Sequence, residues 1–257
     1  MSQQKNLEAK KENSNAVAAY EGTSWGAETS DTNDILIPKL LLMQGLSQAV
    51  ADGNARMGEI IDSLTQEVLG SGLEKDPKPI KVIPLMSFKQ WVVYEKLGDG
   101  KLQLSEIADF SPANALWEKE DEKYRRDLVL NFYVMLDEQI QDPTALPYLV
   151  SFRRTGYKTG MKLATHFKKC ELAASRGKPV PPAKTTFLLK ANKQQNDYGT
   201  FYVFDIVPSG TTSDDALAIA YEWYSILKNK NVRIDNRDLE TEVKQATTVS
   251  SDEQAEF

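Results

Sequence analysis

The chain has 257 residues, with 31 Lys and Arg against 37 Asp and Glu, a formal net charge of −6. Apolar residues make up 41% and charged residues 26%, ordinary for a water-soluble fold of one large or two small domains. A single cysteine, Cys170, excludes an internal disulfide framework and points to a reducing compartment, and no apolar run reaches the ~20 residues that a membrane helix needs.

The opening, MSQQKNLEAKKENSN, has no apolar centre, so no secretory signal is expected and the expected setting is cytoplasm, a cell's own or that of an infected host. Residues 1–34 read as a disordered arm, with three lysines against six acids and only Tyr20 and Trp25 as large aromatics. ILIPKLLLMQGLSQAV (35–50) is an apolar burst interrupted by Pro38, which predicts a short strand followed by a turn or helix. From there to about residue 79, Gly and Pro punctuate loops and short strands.

IKVIPLM (80–86) and FKQWVVYE (88–95) predict one bent strand or two, with Pro84 at the bend. Residues 96–126 are charged and turn-rich, with a short helix expected over 113–122. LVLNFYVML (128–136) alternates as a half-buried strand that presents Asn131 and Tyr133 on its other side. Strand 146–154 follows, then a helix over 157–175, broken by RGKPVPPAK. Strand 185–191, a polar loop NKQQNDYG, strand 200–207 and an amphipathic helix 214–229, capped by Ser213 or Asp214, complete the body. Residues 238–257 carry six acids and one lysine and read as a flexible tail ending DEQAEF.

Charge is unevenly shared along this order. Residues 151–195 hold eleven cations (among them Lys168, Arg176 and Lys178) against one acid, Glu171, inside a chain of net negative charge. The natural ligand of such a surface is a polyanion; the competing reading is a solvated basic face with no ligand. The element order, three strands, a helix, then two strands, predicts a mainly β fold with some helix. The expected form is an OB-fold-like five-stranded antiparallel barrel, with a helix between strands three and four and an extra C-terminal helix. The OB-fold-like domain, with its C-terminal helix 214–229, would occupy residues 35–237. In strand four, Phe187 and Leu189 are expected inward, and Lys184, Thr186 and Lys190 outward.

Nucleic-acid binding on this fold would use Arg153, Arg154, Lys158, Lys162, Lys169, Lys184, Lys190 and Lys193 against phosphates. Flat rings stack bases at about 1–3 kcal/mol each. Tyr133 and Tyr157 are the candidates, while Trp91, Tyr198 and Tyr202 read rather as core. The tail, through Asp252, Glu253, Glu256 and Phe257, can compete for the basic groove and offer a partner-binding end.

Enzyme motifs do not assemble. TGYKTGMK has three residues between Gly156 and Gly160 and no Ser or Thr after Lys162, so it is no phosphate loop. His166 and Cys170, at i and i+4, are too few ligands for a structural zinc, so no metal or other cofactor is expected. Cys170 reads as a packing residue of a helix face.

DEQAEF is similar to the acidic, phenylalanine-terminated tails of bacterial and tailed-phage single-stranded DNA-binding proteins. The body resembles a group of phage replication and recombination proteins in IPKLLLMQGLSQAV followed by MGEII, PYLVSF leading into a Lys-rich helix, and FLLK…YGTFYVF. The resemblance implies sequence-independent binding and protection of single-stranded DNA, recruitment of replication or recombination proteins through the tail, and a monomer or homo-oligomer, with no membrane partner. A Gly-rich linker is lacking and the helix at 214–229 is additional. The rival readings are a strand-annealing recombination protein and a non-enzymatic phage structural or assembly protein.

Overall fold

Pro38 has no N–H to donate, and it divides the first apolar burst into two short strands, β1 (Leu36–Ile37) and β2 (Leu40–Leu42). The computed structural model describes residues 35–98, 101–197, 199–229 and 232–239. A single helical turn, α1 (Gln48–Ala51), precedes β3 (Glu59–Asp62), β4 (Val68–Leu73) and β5 (Asp76–Lys78). Strands β2, β3, β4 and β5 pair antiparallel in that order as a small sheet.

The main sheet is built on β6 (Ile80–Lys96), one continuous strand of 17 residues. Pro84 does not divide it, because the missing donor falls where the register shifts between Pro84 and Met86. β7 (Leu102–Asp109), β8 (Tyr124–Leu136) and β9 (Tyr148–Phe152) follow. Next come α2 (Tyr157–Ser175), β10 (Thr185–Asn196), β11 (Gly199–Thr211), α3 (Asp214–Asn229) and β12 (Arg233–Ile234). Strand order is β11-β10-β6-β8-β9, with β7 on the far end of β6, while β12 pairs parallel to β1.

Each face of this sheet has its own helix. Leu130, Phe132, Val134 and Leu136 of β8 point into a core with Leu163 of α2 and with Ile60 and Leu69 of the small sheet. Tyr133 and Met135 point the other way, into a core with Ala216, Ala220 and Leu227 of α3. Strand β8 is therefore buried on both faces from Val129 to Leu136 rather than half-buried. Ser213 accepts the Ala216 N–H at 3.3 Å, and Asp214 and Asp215 occupy the first turn of α3, where the helix dipole favours acids.

The fold is mainly β, but the sheet does not close into a barrel. The free edge of β9 is taken by the segment between β1 and β2: Leu149 N–H donates to Pro38 O at 2.8 Å, and Lys39 bridges Leu149 in parallel. The free edge of β11 meets the same segment. Gln44 donates to Tyr202 O at 2.9 Å and accepts from Tyr202 N–H at 3.0 Å. Residues 38–44 thus form a wedge between the two edges whose pairing would complete a barrel. α2 lies close over β9 because Gly160 has no side chain; a Cβ there would come within 2.6 Å of Phe152 Cβ.

Two expectations need correcting. No helix forms over 113–122, because turn chemistry wins locally: Asn114 accepts from Ser111 N–H and donates to Asp109 O, both at 2.8 Å, and Asp121 accepts from Lys123 N–H. The polar stretch after residue 191 is no loop up to Asn196. Register continues through Asn196↔Gly199, so β10 and β11 form a long hairpin with exposed polar side chains at its end.

Candidate nucleic-acid interface

The helix α2 turns 100° per residue, which sets Lys158, Lys162 and Lys169 within an arc of about 40°. Leu163, Phe167 and Cys170 lie on the opposite side, against the sheet. Arg176, at the C-cap, prolongs the same line. Arg153 and Arg154 stand just ahead of the helix, Arg154 opening a short 3₁₀ turn with a φ of 48°. Arg154 Nε contacts Asp127 Oδ2 at 2.7 Å, and Arg153 donates to the Tyr94 hydroxyl at 3.0 Å.

Lys162 reaches over the edge of β11 to Asp205 at 2.6 Å, and Lys190 is the cross-strand neighbour of Asp205. Burial disfavours the Asp205 carboxylate, but the Lys162 ammonium and the Ile206 amide outweigh it and hold its pKa below the ordinary value. Arg153, Arg154, Lys158, Lys162 and Lys169 therefore gather around α2, whereas Lys190, which alternates with Leu189 and Ala191 of the α2-side core, points to the other face of the sheet beside Asp205. Among the described residues, no ion pair engages Lys158, Lys169 or Lys190.

Lys184 and Lys193 do not join this band. Lys184 pairs with Asp214 at the start of α3 at 2.9 Å, and Lys193 lies 3.5 Å from Glu74. Lys190 and Lys193 differ by an odd number of residues, so strand alternation points them to opposite faces of β10. Thr186 is also misassigned by alternation: it is fully buried, its hydroxyl 3.0 Å from that of Ser209.

The aromatic candidates fare differently. Tyr133 is 4% exposed, sits 5.3 Å from the Phe88 ring under α3, and offers no face to a base. Burial pushes its hydroxyl pKa up to about 12. The expected platform is excluded by the helix that covers it. Tyr157 is half-buried, its ring packed on the α2-side core, at the head of the cationic arc. Trp91 and Tyr202 are buried, and Tyr198 lies outside the described residues, as do Asp252, Glu253, Glu256 and Phe257.

The sequence reading passes over a second cluster, at the turn into β8. The Arg126 guanidinium stands 5.3 Å from both the Trp117 and Tyr124 rings, and Lys123 lies 4.9 Å above Tyr124. Arg125, 3.6 Å from Asp127, shares that carboxylate with Arg154 and so extends the band. The alternation of Tyr124, Arg126 and Leu128 with Arg125, Asp127 and Val129 could have carried the strand back to residue 124. His166 is 3.0 Å from the Pro182 carbonyl and 3.8 Å from Cys170 Sγ, fastening α2 to the turn before β10. Burial pushes the Cys170 thiol pKa up, away from a reactive thiolate.

No helix among the described residues is long and apolar enough to cross a membrane. No curated protein and no solved structure matches the chain. A family model described as Pam3 phage gp34-like protein matches residues 6–233. That span takes in the wedge, both sheets and both long helices, and the chain belongs to the Pam3 phage gp34-like protein family.

Proposed function

We propose that this phage-family protein binds single-stranded DNA without strong sequence preference, laying the phosphate backbone along the solvent face of α2. The observation that carries the reading is the alignment of Lys158, Lys162 and Lys169 on one arc, flanked by Arg153 and Arg154. Exposed ion pairs such as Lys162–Asp205 are worth only about 0–1 kcal/mol, so a phosphate can compete for their cations.

Strand order supports an OB relationship. With β6, β8, β9, β10 and β11 as strands one to five, the order five-four-one-two-three is that of an OB barrel opened between strands three and five. OB-folds use the face of strands two and three for ligands. Here α3 covers that face, which favours α2 as the binding surface instead.

Part of the reading concerns the acidic tail as competitor and partner-recruiting segment. Leu239 packs on Val92, Tyr94 and Val129, and Arg153 bonds that same Tyr94, so the chain approaches its tail beside the cationic band.

The test is a fluorescence titration with oligo-dT at two ionic strengths. Affinity should fall steeply with salt, with slope about −0.7 per phosphate neutralised. The pair Lys158→Glu and Lys169→Glu should weaken binding at least about tenfold and flatten the slope by roughly 1.4. Absence of binding even at low salt would overturn the reading and favour an assembly role in which the basic helix holds an acidic protein.

A further inference from the structure

α2 and α3 leave a cleft of about 1240 Å³ between them. Phe167 and Cys170 line it from α2, Leu217 and Tyr221 from α3, and the turn at Pro179–Pro182 closes one end. Its surface is mostly apolar, yet Met161 is 43%, Val180 45% and Tyr221 69% exposed. Apolar area gathered in one concave place is what a covering segment buries at a gain of about 25 cal/mol per Å².

We propose that residues Ala16–Trp25 of this same chain cover the cleft. Ile35, the first described residue, packs in the cluster that contains Leu217 and Ala220, and both of these line the cleft. The chain therefore enters the body beside α3. Nine residues separate Trp25 from Ile35, a reach of about 30 Å when extended, comparable to the length of the helices that wall the cleft. Within residues 1–34, Ala16-Val17-Ala18-Ala19-Tyr20 is the longest apolar run, and Trp25 the largest side chain.

Charge agrees with this occupant. On the rim, Glu171 and Asp214 are already paired with Lys168 and Lys184, while Lys89, 5.2 Å over the Phe110 ring, has no acid paired with it among the described residues and can meet one such as Glu21. The family match also begins at residue 6, so it takes in this segment, whereas it stops at 233, before the acidic tail. The docking is independent of nucleic-acid binding and survives if that reading fails.

Cys170 is the chain's single cysteine and lines the cleft, so its reactivity towards a bulky maleimide reports the cover directly. The intact chain should react slowly. The full-length double variant Val17→Asp, Trp25→Asp should react about tenfold faster, and a synthetic peptide of residues 10–28 should slow that variant again. Equal rates overturn the proposal, and so does protection that grows with protein concentration, which assigns the cover to a second copy. A second readout is the emission of Trp25, taken as the difference between the intact chain and Trp25→Phe. Blue-shifted emission supports the docking, and emission like that of free indole overturns it.

Discussion

Tyr133 shows how one side chain can look like a binding platform and serve as a structural one. In the strand pattern it lies opposite the consistently apolar positions, where a stacking ring belongs. In the fold that side is covered by α3, a helix about eighty residues further along, which no local pattern announces. Its pKa gives a prediction with a definite sign. The folded value of about 12 exceeds the ordinary value of 10.0, so the fold favours the neutral phenol. The resulting stability is fully present below pH 10 and is lost as pH rises towards 12, by about 1.4 kcal/mol per unit. Urea midpoints measured at pH 9.5 and 11 should therefore fall for the natural chain and fall less for Tyr133→Phe. Lys190 and Lys193 make the complementary point: parity along the strand, legible in the sequence, already separates them, whereas the acids that occupy Lys184 and Lys193 come from remote elements.

At the level of elements, the sequence was legible wherever local pattern and local structure coincide. The helices at 157–175 and 214–229 stand where periodicity and capping put them. Legibility failed where the ladder runs through polar residues. β7 alternates half-buried Leu102 and Leu104, packed on Val92, Tyr94 and Val129, with exposed Gln103 and Ser105, whereas the end of β10 is exposed Asn, Lys and Gln, a strand because β11 satisfies its backbone and not because its side chains seek a core. The docking of α2 offers a test. A methyl group at residue 160 would meet Phe152 Cβ at 2.6 Å, an overpacking cost of about 1–3 kcal/mol that exceeds the ~1 kcal/mol helix-propensity gain. Gly160→Ala should lower the urea midpoint, while Gly156→Ala, with nothing within 4 Å of its Cβ position, should not.

For the molecule as a whole, the charge map separates a cationic band from acidic ends. Removing residues 240–257 should tighten oligo-dT binding several-fold at low salt and have little effect at high salt, where screening already weakens such competition; unchanged affinity at both would dismiss the tail as competitor. The opening motif IPKLLLMQ, noticed first as a resemblance, is the wedge that separates β9 from β11. Its two anchors span 158 residues from Gln44 to Tyr202 and 199 residues from Lys39 to Asp238. On a ribosome adding roughly 5–20 residues per second, the wedge emerges on the order of ten seconds before the strand it must hold. A segment made early is thus fastened by partners made more than 150 residues later, and the wedge is locked only after Tyr202 and Asp238 have emerged.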